Sequence, residues 1–216
     1  MTQETVVFRW VSSKDSGAEL LDDDTRFQYK RGTNSVAMAD TAFYEGEKAP
    51  PRHPCLPGVL SWTLGLTQII PQFFRCGMVQ EGFSTLSKAS WALGNSNPEE
   101  PFANFGMLGP FHRSFSAQGS SNKARDQVLF EVCLGQYGGE QLPYQSGTEI
   151  SFTLDLENGT LVVEYLGQKC TLLQNIQGHV GWRPAVCFYH PAHVRATQEV
   201  VILRAEADTV LVKAAR

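Results

Sequence analysis

The sequence predicts an all-β protein, an antiparallel β-sandwich with long loops and little helix. Three observations carry this. Short stretches alternate apolar and polar residues with the period of two that a half-buried strand requires. Clusters of Gly, Pro, Asn and Ser separate those stretches. No apolar stripe at helical spacing runs longer than two turns. No repeat, linker or break in composition divides the 216 residues, so one domain spanning 1–216 is expected.

Residues 5–11 (TVVFRWV) are rich in β-formers and read as a first strand, with a turn over 12–17. Asp22, Asp23 and Asp24 read as a solvated turn, since a calcium loop needs a longer, spaced set of oxygen ligands. Residues 26–30 alternate again, and 35–38 and 42–44 are further short strands. Four prolines (Pro50, Pro51, Pro54 and Pro57) make 45–57 a surface loop that cannot form a regular ladder. In 59–70, Leu60, Trp62, Leu64 and Leu66 alternate with Ser61, Thr63, Gly65 and Thr67. A second strand covers 73–79. Residues 95–121, rich in Asn, Pro, Gly and Ser, form a long loop with one short strand around 111–115. A strand over 127–134 leads to a loop over 136–147 that holds Tyr137 and Tyr144.

The most regular stretch is 147–167. Ile150, Phe152, Leu154 and Leu156 alternate with Ser151, Thr153, Asp155 and Glu157, and Asn158-Gly159 follows. Both turn residues tolerate the positive φ of a type I′ turn, so a two-residue hairpin is expected. That turn sets Glu157 opposite Thr160, Leu156 opposite Leu161, Leu154 opposite Val163 and Phe152 opposite Tyr165, with one face apolar throughout. Residues 168–177 continue as its strand partner, 182–189 form an aromatic-Pro strand, and 197–204 and 209–213 supply two closing strands.

This hairpin resembles the central hairpin of SPRY domains. The residues that carry the likeness are Gly147, Leu154-Asp155-Leu156, Gly159-Thr160-Leu161 and Tyr165. Trp182-Arg183-Pro184-Ala185-Val186 resembles that family's aromatic-Pro-Ala-Val strand. Gly77-Met78-Val79 is similar to its Gly-Val-Val element. Ser90-Trp91-Ala92-Leu93-Gly94 resembles its Ser-Trp-Gly-Leu segment, with Ala92 in place of a glycine. The resemblance covers 59–204 and implies a SPRY-like jelly roll. Residues 95–126 are longer than the family's usual connection and could fold over its binding edge.

Composition narrows the function. The net charge is −4 and no long basic run occurs, which argues against nucleic acid as a partner. No stretch approaches 18 apolar residues, so no membrane span is expected. The start, Met-Thr-Gln-Glu, lacks the pattern of a secretory signal. The five cysteines are widely spaced without a CxxC, so neither a disulfide framework nor a zinc site is expected. Cys133 and Cys187 lie in apolar runs and read as small buried hydrophobes. A reducing cytosolic or nuclear setting follows, and no cofactor is expected.

No catalytic pattern is complete in the sequence. Retaining glycosidases need two carboxylates ~5–5.5 Å apart. Asp155 and Glu157 are placed on one strand face, but the further acid expected at position 153 is a threonine, and a polar outer face accounts for both. His190-Pro191-Ala192-His193 lacks a third ligand, and its proline opposes a helix that would align the two imidazoles. His53, His112 and His179 have no motif nearby. Gly-x-Ser-x-Gly, GxGxxG and Walker A motifs are absent.

Binding remains. The SPRY resemblance implies a non-enzymatic module that recognises a protein or peptide through loops at one edge of a rigid sandwich. It further implies a role as an adaptor in a larger complex such as a ubiquitin ligase. Loop aromatics and Arg are the usual hot-spot donors, so the candidate ligand-binding residues are Trp91, Arg113, Tyr137, Tyr144 and His190. A carbohydrate-binding or glycan-hydrolysing jelly roll is the alternative.

Overall fold

A computed structural model describes residues 2–5, 8–12, 17–30, 35–45, 55–56, 59–70, 74–80, 105–108, 114–117, 127–128, 145–174, 176, 181–188 and 196–209. Among them lie β1 (Thr2–Thr5), β2 (Trp10–Ser12), β3 (Ala18–Leu21), β4 (Arg26–Tyr29), β5 (Ser35–Ala39), β6 (Tyr44–Glu45), β7 (Cys55–Leu56), β8 (Val59–Gln68) and β9 (Phe74–Gln80). The chain continues through β10 (Phe105–Leu108), β11 (Ser114–Ala117), β12 (Gln127–Val128), β13 (Thr148–Asp155), β14 (Thr160–Tyr165), β15 (Gln168–Leu173), β16 (Trp182–Phe188) and β17 (Gln198–Thr209). No helix occurs among the described residues.

Two antiparallel sheets make the sandwich. One has eight strands in the order β15-β14-β13-β8-β17-β4-β3, with β1 also on β17; the other has seven, β12-β11-β10-β9-β16-β5-β2. The alternation of β8 and β13 is realised as expected. Leu60, Trp62, Leu64 and Leu66 are buried, as are Ile150, Phe152 and Leu154. Trp62 stacks on its cross-strand neighbour Phe152 at 5.1 Å. Phe188 of β16 bridges the sheets: it stacks on Phe27 at 5.2 Å and lies 6.1 Å from Tyr29 and 5.5 Å from Phe74. Such pairs add about 0.5–1.5 kcal/mol each beyond area burial. Pro184 is tolerated in a central strand because β5 pairs β16 only from Ala185 onward, so its missing N–H costs no ladder bond there.

Four expectations are corrected. The hairpin does not use a two-residue turn. Asp155 pairs Thr160, Leu154 pairs Leu161, Phe152 pairs Val163 and Ile150 pairs Tyr165, which leaves a four-residue loop, 156–159. The cause is the Asp155 carboxylate, which accepts from the Asn158 backbone N–H at 2.9 Å and from Asn158 Nδ2 at 2.7 Å. Of the loop residues only Gly159 takes a positive φ, 63°, as in loops built around a type I turn. The register moved by two residues, so the same side chains still face the core.

Residues 5–11 are not one strand. β1 pairs β17 in the larger sheet and β2 pairs β5 in the smaller. Between them Phe8 is buried edge-on against Trp10 at 5.9 Å, and Arg9 exchanges bonds with Asp40. The closing strand expected over 197–204 runs further, as the 12-residue β17, Gln198–Thr209; residues 210–213 of the other expected closing strand lie outside the described residues. Ala205 and Ala207 of β17 are buried opposite Trp62 and Leu60, where bulk is supplied by the partner strand and small residues fit. Residues 95–121 contain two strands rather than one, and β10 and β11 extend the ladder from β9. Two smaller differences accompany these. β3 was not expected, and Cys55–Leu56 pairs in parallel with Tyr44–Glu45 inside the proline-rich stretch.

Candidate binding surface

All five candidates, Trp91, Arg113, Tyr137, Tyr144 and His190, lie outside the described residues, as do His53, His112, His179 and His193. The described residues that flank them are nonetheless informative. Gln145, which follows Tyr144, donates its backbone N–H to Tyr165 Oη at 2.8 Å, and Thr148 Oγ1 donates to the Gln145 carbonyl at 2.6 Å. Ser146 Oγ accepts from the Ile69 N–H at 2.9 Å, and Gly147 N–H donates to the Leu66 carbonyl at 2.7 Å. Ile70 N–H in turn donates to the buried Gln198 Oε1 at 2.8 Å.

These bonds run as one chain from Gln145, the residue after Tyr144, to Gln198. Gln198 opens β17 just after the segment holding His190 returns at Ala196. That segment leaves from Phe188, which pairs Phe74 at the same end of the smaller sheet. Ser114, next to Arg113, pairs Leu108, which pairs Cys76 two residues from Phe74. The strand ends beside four of the five candidates therefore gather at one end of the sandwich. The segment with Trp91 leaves β9 from the other end, at Gln80.

The same end carries a residue that periodicity did not single out. Leu166 and Gly167 join β14 to β15 in a two-residue turn with φ of 49° and 75°. Asn or Gly is the ordinary choice at the first of these positions, and a bulky side chain there is strained. Leu166 is nevertheless 44% exposed. The only available sequence signal was an apolar residue before Gly167 at a hairpin tip.

Asp155 and Glu157 do not share a strand face. Asp155 ends β13 and commits both oxygens to Asn158, while Glu157 lies in the exposed loop and not on the strand face. Among the described residues no group of three His, Cys, Asp or Glu side chains is placed to hold a metal ion. A charged cluster among the described residues sits on the outward face of the larger sheet. Arg26 Nε meets Asp22 Oδ2 at 2.7 Å, and its Nη1 meets the buried Glu199 Oε1 at 2.6 Å. The bond to Asp22, then that to Glu199, pushes the Arg26 pKa up. Gln28 Nε2 donates to the other Glu199 oxygen at 2.6 Å. Burial alone raises the Tyr29 phenol.

No protein-family model matches the sequence, and no curated protein sequence matches it. Solved structures do. The SPRY domain of human HERC1 superposes with a TM-score of 0.51 at 11% identity, over 87% of this chain and 92% of that one. Peanut lectin with a 9mer peptide gives 0.54 at 11%, over 95% and 94%. The Emp46p carbohydrate recognition domain in its potassium-bound form gives 0.51 at 15%, over 92% and 87%. The fold is SPRY-like and concanavalin-like. At these identities the likeness is one of fold, and the SPRY-like sandwich found here is the antiparallel jelly roll that the hairpin pattern implied.

Proposed function

We propose that the chain acts as a single non-enzymatic interaction module that recognises a peptide or protein surface through the loops at one end of its SPRY-like sandwich. The observation that carries this reading is the hydrogen-bonded chain from Gln145 through Ile69 and Ile70 to Gln198. It gives loops a rigid base, as recognition loops need. The strained, exposed Leu166 beside it supports the reading, because such strain recurs where function outweighs stability. The likeness to the HERC1 SPRY domain supports it at the level of fold. Service as an adaptor within a larger assembly such as a ubiquitin ligase is its finer form.

The fold likeness to peanut lectin and to the Emp46p carbohydrate recognition domain supports a second reading, a carbohydrate-binding or glycan-hydrolysing jelly roll. Affinity purification with mass spectrometry separates the two. Wild type is compared with Tyr137→Ala/Tyr144→Ala and with Leu166→Asn, after each has been shown to be folded by a cooperative melt. Loss of one small set of proteins from both variants is expected. Retention of the whole set by both would overturn the loop-end reading. Binding to a polysaccharide array without any retained protein would move the sugar reading ahead.

A further inference from the structure

The outward face of the larger sheet carries a row of hydroxyls. Thr63 Oγ1 and Ser151 Oγ lie 2.9 Å apart, and Ser61 Oγ and Thr153 Oγ1 lie 3.3 Å apart. Beside this row β17 is irregular. Ile202 pairs Leu64 and Arg204 pairs Thr63, so Leu203 is one residue more than β8 can match, a β-bulge. Val200 and Ala205 are buried. The bulge lets the neighbours Leu203 and Arg204 both project outward over Thr63, where a regular strand would turn one of them into the core.

Each of the two residues is presented in a specific way. Leu203 is 48% exposed. Its methyls and Val201 Cγ1 close over Gly65, where an added Cβ would sit 2.9 Å from Val201 and 3.3 Å from Leu203. Arg204 is exposed, and its Nε donates to Thr63 Oγ1 at 3.0 Å. That bond fixes the guanidinium, while among the described residues neither terminal nitrogen has an acceptor or a carboxylate partner. Arg26 on the same face is the contrast, with Nε committed to Asp22 and Nη1 to Glu199. Of these two guanidinium groups one is consumed and the other is held open.

We propose that Arg204 and Leu203, with the buried Thr63 hydroxyl as the anchor beneath them, form a second docking site, for an extended segment of a protein partner that places an acidic side chain beside an aliphatic one. A guanidinium fork matches a carboxylate in two parallel bonds. Its Nε anchor has already restricted a side chain whose freedom would otherwise oppose binding. Leu203 and Val201 offer aliphatic contact next to the fork, which suits a leucine-like neighbour better than the hydroxylated ring of an acidic sugar. The site lies mid-strand on the sheet face and does not depend on the loop-end reading.

The test is an NMR titration of the full 15N-labelled chain with N-acetyl-Leu-Glu-Leu-amide, with its Gln counterpart and with glucuronate. The Glu peptide is expected to shift the Arg204 Nε–H and the Thr63 and Leu203 amides saturably. The Gln peptide should be weaker by about tenfold, as loss of a charge-assisted pair implies. Arg204→Lys should weaken the Glu peptide by roughly fivefold, because it keeps charge but loses the fork. Leu203→Ser should weaken it severalfold. Tyr137→Ala/Tyr144→Ala should leave these shifts unchanged, so this site and the loop-end reading fail separately. Equal binding of the two peptides, no shift at Arg204, or saturation of the same signals by glucuronate below the peptide concentration would overturn the proposal.

Discussion

Removal of the Glu199 carboxylate tests the electrostatic account of the larger sheet. Glu199 is 7% exposed and accepts from Arg26 Nη1 and Gln28 Nε2, both at 2.6 Å. A hydrogen bond to a charged group contributes about 1.5–3 kcal/mol and a neutral one about 1 kcal/mol. Glu199→Ala loses two bonds to a charged acceptor, but Arg26 keeps its contact with Asp22, so no buried cation is left alone. The Arg26 side chain is also 34% exposed, which weakens its share through solvent screening. The expected cost is therefore roughly 2–3 kcal/mol, below the range for breaking a fully buried pair. Asp22 is 61% exposed on its side of the same guanidinium, so Asp22→Asn, which removes the charge and still accepts the φ of 54° at this position, should cost under about 0.5 kcal/mol. Urea unfolding at neutral pH with unchanged m-values reads both. Equal losses for the two variants, or a Glu199→Ala cost below about 1 kcal/mol, would refute the reasoning.

Three further outcomes are expected. Leu166→Asn should raise stability by about 0.5–1 kcal/mol, since Asn accepts the left-handed φ at low cost; a loss in thermal unfolding would contradict the strain assigned to this turn. Gly65→Ala should cost about 1–3 kcal/mol through overpacking, because the nearest atom belongs to Val201, whose χ1 is stiff; an unchanged melting temperature would show that β17 yields easily. Tyr29 has a folded pKa raised above its ordinary 10.0 by burial. Its neutral form is the one the fold favours, so its contribution is complete below about pH 10 and is lost as pH rises through the folded value. Melting curves between pH 9 and pH 11 should therefore fall less for Tyr29→Phe than for wild type.

Much of the sandwich was legible because β8, β13 and β14 pack one face and expose the other, which writes a period of two directly into the chain. What was not legible depended on competing local chemistry or on partners distant in sequence. Asn158-Gly159 indicates a two-residue turn until the Asp155 side chain takes the Asn158 donors. Residues 205–208 (AEAD) carry too little hydrophobicity to read as strand, yet Ala205 belongs there because Trp62 fills the space opposite. β3 (AELL) has a helix-former's composition and is a strand because it pairs β4. For the candidate surface, the loop aromatics could be named from residue type. The convergence of strand ends at Gln198 and the bulge at Leu203 are products of pairing register, which no local pattern encodes.

The place of β17 also bears on how the protein is made. Among the described residues it is made after every other strand of the larger sheet, yet it lies between β8 and β4 and also holds β1. Until it emerges, β1, the β3–β4 hairpin and the β8–β13–β14–β15 block have no ladder to join them. The larger sheet must wait as separate pieces with open edges. A nascent chain halted before Gln198 would therefore be a target for holdase chaperones, and emergence of 198–209 would be the event that joins the larger sheet in its native topology.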